Sequence, residues 1–266
     1  MKVKDSVFFN EAIRFIGYGS YFGWHERNAG NVSLRLTVDE IESVKDDFDY
    51  NRELVYLPEA IPEMAGEYIF TTVSGSLFID IQNDPESKFC VCQISDNGDA
   101  YRVVWGGIKP TSEICGHLMS LAELKARSGY RAVYHCHPAN IVALTYVLDN
   151  TDKVISESLW ACETECAFVF PEGVGVVGFF VPGSLELAKA TADKLKAYNA
   201  VIWSFHGVFA TGESFASAFG LAHAIEKAAE IWLKVISSGM PIKNTITREQ
   251  QEMSAEAFGF KLKHFE

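Results

Sequence analysis

The period of apolar and polar positions changes several times along the chain. Apolar residues recur at helical spacing over 8–24 and stop at Gly23-Trp24, which predicts an amphipathic helix. Asn28-Ala29-Gly30-Asn31 reads as a turn, and Val32-Ser33-Leu34-Arg35-Leu36 alternates with the period of two that marks a strand. Residues 37–65 are acidic and irregular, with Pro58 and Pro62, and predict a loop or excursion. Residues 67–73 predict a strand entering the glycine turn Ser74-Gly75-Ser76. Strands at 89–94 and 100–105 flank Ser95-Asp96-Asn97-Gly98-Asp99, whose Asn-Gly pair suits the positive φ angles of a tight hairpin turn.

Pro110-Thr111-Ser112-Glu113 predicts a helix start, with hydroxyls to cap the first N–H groups and a carboxylate in the first turn. That helix runs to about residue 127. A strand at 132–137 and a helix at 139–148 follow. Strands at 166–170 and 174–179 surround Pro171-Glu172-Gly173, then come a helix at 185–195, a strand at 200–205 and a long helix at 214–238. No internal repeat, low-complexity tract or linker interrupts this order. The pattern predicts one α/β domain over 1–266, a sheet covered by helices on both faces.

Composition narrows the classes. At 266 residues, 48% hydrophobic and 22% charged, the chain has ample material for a core. A net charge of −12 excludes nucleic acid and anionic membrane as expected partners, because no basic stripe exists to displace counterions. A small anionic substrate stays open, since local amides or a metal ion outweigh the overall field. No apolar run reaches the length of a membrane span and no signal peptide is expected. The six cysteines lie mostly in apolar segments and read as thiols of a reducing compartment. The expectation is a soluble cytoplasmic protein.

The strongest chemical signal is His135-Cys136-His137 at the end of a predicted strand. Side chains at i and i+2 share a face, so both imidazoles project together. His206, before Gly207 at another strand end, supplies a third nitrogen donor. A lone histidine in an apolar strand is ordinarily a hydrogen-bonded core residue. Three that converge are most readily satisfied by a metal, and three protein ligands with an open position describe a catalytic centre. Imidazole suits zinc, copper, iron or nickel, so spacing leaves the ion open. His25, His117, His223 and His264 lack this context and read as structural or exposed.

Two carboxylates are candidates for proton transfer. Glu113 stands at a helix start, where a glutamate ordinarily only complements the dipole, and Glu165 lies in Cys162-Glu163-Thr164-Glu165-Cys166 among apolar and thiol neighbours. A general base at neutral pH needs its pKa raised, and burial is the usual means. The turns Asn28-Ala29-Gly30-Asn31 and Ser74-Gly75-Ser76, with Thr111-Ser112, are shaped to cradle a phosphate, although each alone is an ordinary turn or cap. The chain carries no Walker motif, dinucleotide fingerprint or Gly-x-Ser-x-Gly elbow.

With these residues in view the chain resembles the class II aldolase/adducin family through most of its length. The resemblance is carried by Gly23-Trp24-His25-Glu26-Arg27-Asn28-Ala29-Gly30-Asn31, Pro110-Thr111-Ser112-Glu113, His135-Cys136-His137, Ala143-Leu144-Thr145-Tyr146-Val147-Leu148, Thr164-Glu165-Cys166, Phe170-Pro171-Glu172-Gly173-Val174-Gly175 and Phe205-His206-Gly207-Val208-Phe209. It implies a three-layer fold, a central, largely antiparallel sheet between helical layers, assembled as a homotetramer with sites near subunit contacts. It further implies Zn2+ on His135, His137 and His206, and Glu113 as acid/base. Glu165 would assist at the other half of the substrate. Asn28, Asn31, Ser74, Gly75, Thr111 and Ser112 would hold the phosphate of a small phosphosugar. No basic residue stands in 74–78, so amides, hydroxyls and the metal would balance that charge.

The implied reaction is reversible cleavage of L-rhamnulose 1-phosphate to dihydroxyacetone phosphate and L-lactaldehyde. The nearest alternatives on the same scaffold act on L-fuculose 1-phosphate or a pentulose phosphate. Two others are a cytoskeletal interaction module without a working metal site and a metal-stabilised binder without turnover. The three histidines with Glu113 speak against the former, and Glu113→Gln separates the latter from an enzyme.

Overall fold

In the computed structural model, which describes residues 1–265, nine strands form one sheet in the order β2-β5-β4-β3-β1-β6-β9-β8-β7. The strands are β1 (Asn31–Arg35), β2 (Leu54–Tyr56), β3 (Tyr68–Thr72), β4 (Phe89–Ile94), β5 (Ala100–Gly106), β6 (Ala132–Cys136), β7 (Gly175–Val177), β8 (Ala200–Trp203) and β9 (Gly207–Gly212). Every pairing is antiparallel except the parallel β7–β8 pair. The helices are α1 (Val7–Tyr21), α2 (Val38–Val44), α3 (Ile114–Arg127), α4 (Ala139–Val147), α5 (Asp152–Trp160), α6 (Thr164–Val169), α7 (Leu185–Leu195), α8 (Phe215–Ser237) and α9 (Arg248–Phe258).

Strand alternation divides the core into two layers. Ala132, Tyr134 and Cys136 of β6 face one side, where they pack with Phe9 and Ile16 of α1 and Phe215, Ala222 and Ile225 of α8. Val133 of β6 and Phe209 of β9 face the other side, against Leu118, Leu121 and Leu124 of α3 and Leu187 and Leu195 of α7. His135 and His137 share the parity of Val133, so the histidine pair projects toward the layer of α3 and α7. The result is a helix–sheet–helix sandwich.

The hairpin at 95–99 forms, with β4 and β5 paired antiparallel around Gly98 at φ +70. Other readings are corrected. Residues 37–65 contain α2, closed by a Thr37–Glu40 capping box, and the edge strand β2. The stretch 166–170 is not a strand: 164–169 form α6, with Cys166, Ala167 and Phe170 buried and Phe168 and Val169 outside. Positions i, i+1 and i+4 make one helical face, a period that β-favouring side chains obscured. Helices α5 and α9 and strand β9 lie where no element was expected.

Candidate active site

The histidines meet where the end of β6 lies beside the β8–β9 connection. β6 carries His135, and its continuation carries His137, whose N–H donates to the Trp24 carbonyl at 2.9 Å. His206 sits in the tight connection from β8 to β9, after Phe205, which adopts a left-handed φ of +66. That conformation costs a non-glycine residue energy. The Phe205 amide donates to Thr145 Oγ1 on α4 at 3.0 Å, which fixes the turn. The ligand nitrogens of the three rings lie within 4.8 Å of one another, a possible metal site.

Counting protons shows what the rings need. His135 Nδ1 lies 3.0 Å from the Val208 carbonyl and His137 Nδ1 lies 2.9 Å from Glu26 Oε1. Both partners only accept, so both Nδ1 atoms carry the hydrogen in the neutral rings. Their Nε2 atoms are then bare lone pairs facing each other at 3.2 Å. A cation between them satisfies both, and 3.2 Å is about the span that ligands on roughly 2 Å bonds keep around a tetrahedral ion. Burial favours the neutral ring at two of the three: it pushes His135 well below the ordinary histidine value and His206 down to about 4. Glu26 and Val208 orient the rings from behind, as outer partners of metal ligands do.

Glu113 immediately precedes α3, and its side chain does not cap the helix. Thr111 Oγ1 instead accepts from the Glu113 N–H at 3.3 Å. The carboxylate is thereby free to enter the sheet side, where Oε2 accepts from Asn31 Nδ2 at 2.9 Å and lies 3.8 Å from His135 Nε2. Burial is the main influence on it and pushes its pKa up, against the hydrogen bond from Asn31.

One cleft of about 140 Å³ is lined by Asn28, Asn31, Ser74, Gly75, Thr111, Ser112, Glu113 and the three histidines. Ten expected site residues therefore face one space. Gly75 takes φ +79 in the 74–76 turn, and the Ser74 amide donates to the Lys109 carbonyl, joining that turn to the segment before α3. Gly30 has φ +77, and a Cβ there would stand 2.5 Å from the His135 carbonyl oxygen and 2.6 Å from His25 Nδ1, so the 28–31 turn packs against His135 only with glycine.

Glu165 is not among these residues. Because 164–169 are helical, Glu165 projects from the outer side of α6 into a separate groove with Glu163, Phe168, Ser254 and Phe258. It is exposed and lacks the apolar burial expected from its neighbours. Other residues escaped the sequence reading. Glu26 holds His137, and His117, fully buried, reaches Asn31; the i, i+4 spacing of Glu113 and His117 was the available signal.

A buried carboxylate lies beside three convergent imidazoles that could hold a metal ion, in a cleft rimmed by small polar turns. The chain belongs to the class II aldolase and adducin N-terminal domain family, which matches residues 19–233. It is an aldolase, a lyase. It is 43% identical over 242 residues to a rhamnulose-1-phosphate aldolase from Mannheimia succiniciproducens, covering 89% of each chain. A rhamnulose-1-phosphate aldolase from Escherichia fergusonii is 40% identical, over 89% of this chain and 88% of that one. Among solved structures, a sugar-phosphate aldolase from Thermotoga maritima superposes with a TM-score of 0.77 at 30% identity, over 88% of this chain and 97% of that one.

Proposed function

We propose that this chain catalyses the reversible cleavage of L-rhamnulose 1-phosphate to dihydroxyacetone phosphate and L-lactaldehyde, with Zn2+ on His135, His137 and His206. The observation that carries the reading is the pair of bare Nε2 atoms 3.2 Å apart with Glu113 Oε2 3.8 Å from one of them. The names of the relatives supply the substrate. Zinc is chosen over other ions that imidazole binds because the reaction needs no redox change.

When bound, the ion supplies Lewis acidity at the ketose carbonyl and its neighbouring hydroxyl. In cleavage the C4 hydroxyl loses its proton to solvent as the C3–C4 bond breaks and C4 becomes the aldehyde, and Glu113, its pKa raised by burial, gives a proton to C3. In synthesis Glu113 removes that C3 proton and the aldehyde oxygen takes one up. Asn28, Ser74, Gly75, Thr111 and Ser112 hold the phosphate through neutral donors. Glu165, exposed and outside the cleft, acts only on the cleft of a second subunit in a homotetramer. The exposed Tyr146 and Phe205 rings, 4.8 Å apart beside His206, are a surface that a neighbouring subunit would cover. One domain over 1–266 in the cytoplasm completes the reading, supported by the single sheet and six free cysteines. No helix among the described residues is long and apolar enough to cross a membrane.

The test compares release of the aldehyde from L-rhamnulose 1-phosphate, L-fuculose 1-phosphate and a pentulose phosphate. We expect kcat/KM to favour L-rhamnulose 1-phosphate by about tenfold or more, the scale on which a misplaced hydroxyl is rejected. Equal or greater activity on either competitor overturns the substrate.

A further inference from the structure

We propose that His117 is a positioning residue that locks the Asn31 carboxamide in the orientation that holds Glu113 beside the metal ligands; this rests on the reading of Glu113 as the acid/base group. Asn31 and Ser33 are alternate residues of β1 and share a face, while Glu113 and His117 lie one helical turn apart at the start of α3. Two side chains from the strand interleave with two from the helix. The clamp sits beside the metal ligands, because Asn31 is paired directly with His135 across β1 and β6.

The polarity of the clamp follows from donor counting. Asn31 presents one end of its amide to Glu113 Oε2 at 2.9 Å and the other to His117 Nε2 at 2.5 Å. An ionised carboxylate only accepts, so the NH2 faces Glu113 and the oxygen faces His117, which must carry its hydrogen on Nε2. His117 Nδ1 is then bare and lies 2.7 Å from Ser33 Oγ, whose hydroxyl donates to it. Ser33 has one hydroxyl hydrogen and a second acceptor within reach, Thr71 Oγ1 at 2.8 Å, whose own hydrogen goes to the Val32 carbonyl at 3.0 Å; the clamp requires the Ser33 hydrogen to point to His117. Each link in this buried chain constrains the next: the carboxylate sets the amide orientation, the amide oxygen calls for Nε2–H on His117, and that tautomer claims the Ser33 hydrogen. His117, Ser33 and Thr71 are fully buried, so no water competes for these groups. Burial also pushes the His117 imidazole down to about 3, which leaves it with a single ring proton.

Two substitutions of similar polarity separate positioning from packing. In His117→Gln the side-chain amide nitrogen replaces Nε2–H, whereas in His117→Asn the shorter amide reaches Ser33 and leaves Asn31 unheld. We expect kcat per metal-loaded subunit, with L-rhamnulose 1-phosphate, to fall about 10- to 100-fold in His117→Asn, the scale of lost outer-shell partners. KM should stay within about twofold, and His117→Gln should keep most of the rate. In a Glu113→Gln background the loss from His117→Asn should vanish, because the two residues act as one unit. Equal losses in the two His117 variants, or a loss that persists in that background, overturns the proposal. A measurement on the unaltered protein guards against variants that do not fold. NMR of 15N-labelled histidine must show His117 as the Nε2–H tautomer, and the Nδ1–H tautomer overturns the clamp. A Glu113→Gln variant as active as the unaltered chain overturns the reading of Glu113 instead, and the tautomer still decides the clamp.

Discussion

Single residues carry most of this chemistry, and their legibility depended on whether spacing alone placed them. His135 and His137 were legible because i, i+2 in a strand fixes a common face whatever surrounds it. Glu113 was legible as a helix-start carboxylate, but its burial and its link to Asn31 needed the fold. Glu165 shows the limit of local context, since apolar neighbours in sequence are not apolar neighbours in space: helical α6 turns Cys166 and Ala167 inward and Glu165 outward. Gly30 offers a test at this scale. An alanine there combines a positive φ with a Cβ 2.5 Å from the His135 carbonyl oxygen. We expect Gly30→Ala to cost about 2–4 kcal/mol in urea unfolding and to weaken metal retention. A variant with unchanged midpoint and metal content would show that the 28–31 turn does not buttress the ligands.

Elements show a different limit. The hairpin, α3 and the long α8 were legible from turn chemistry, capping and periodicity. β9 was not, because Gly207–Gly212 is buried along its whole length and shows no alternation. α4 exposes a device that no local pattern announces. Its N-cap is Pro138, which offers no side-chain acceptor. Glu226, from α8, accepts from the Asn140 N–H at 3.2 Å, the Ile141 N–H at 2.9 Å and Asn140 Nδ2 at 2.7 Å. A carboxylate eighty-five residues away in sequence thus caps the helix that directly follows His137. We expect Glu226→Ala to destabilise the chain by about 1–3 kcal/mol, with a smaller loss in Glu226→Gln, which keeps an acceptor. Unfolding midpoints of the two variants within error of the unaltered protein would remove the cap from the account.

At the scale of the whole molecule, buried neutral histidines set the response to acid. Burial pushes His25 down to about 4 and His117 down to about 3, whereas both titrate near 6.5 in the unfolded chain. Below pH 6.5 the unfolded state takes up protons that the fold refuses, so stability falls as pH falls toward 3–4; above 6.5 neither ring contributes. Burial raises Glu113, Glu172 and Glu226, whose protonation in the fold works in the opposite direction. The readout is therefore a difference between chains. Between pH 6 and 4, the slope of unfolding free energy against pH should be smaller in His117→Gln than in the unaltered protein by up to about 1.4 kcal/mol per pH unit. Parallel curves would mean that His117 is not neutral in the fold.

The central claim is that one ion on His135, His137 and His206 makes this cleft an aldolase. It is tested most directly by measuring bound metal and dihydroxyacetone phosphate release together, in the unaltered protein and in His206→Ala. The account predicts about one zinc per chain with metal-dependent release from L-rhamnulose 1-phosphate, and loss of both in the variant. Full release from His206→Ala, or release from unaltered protein stripped of metal, would contradict it.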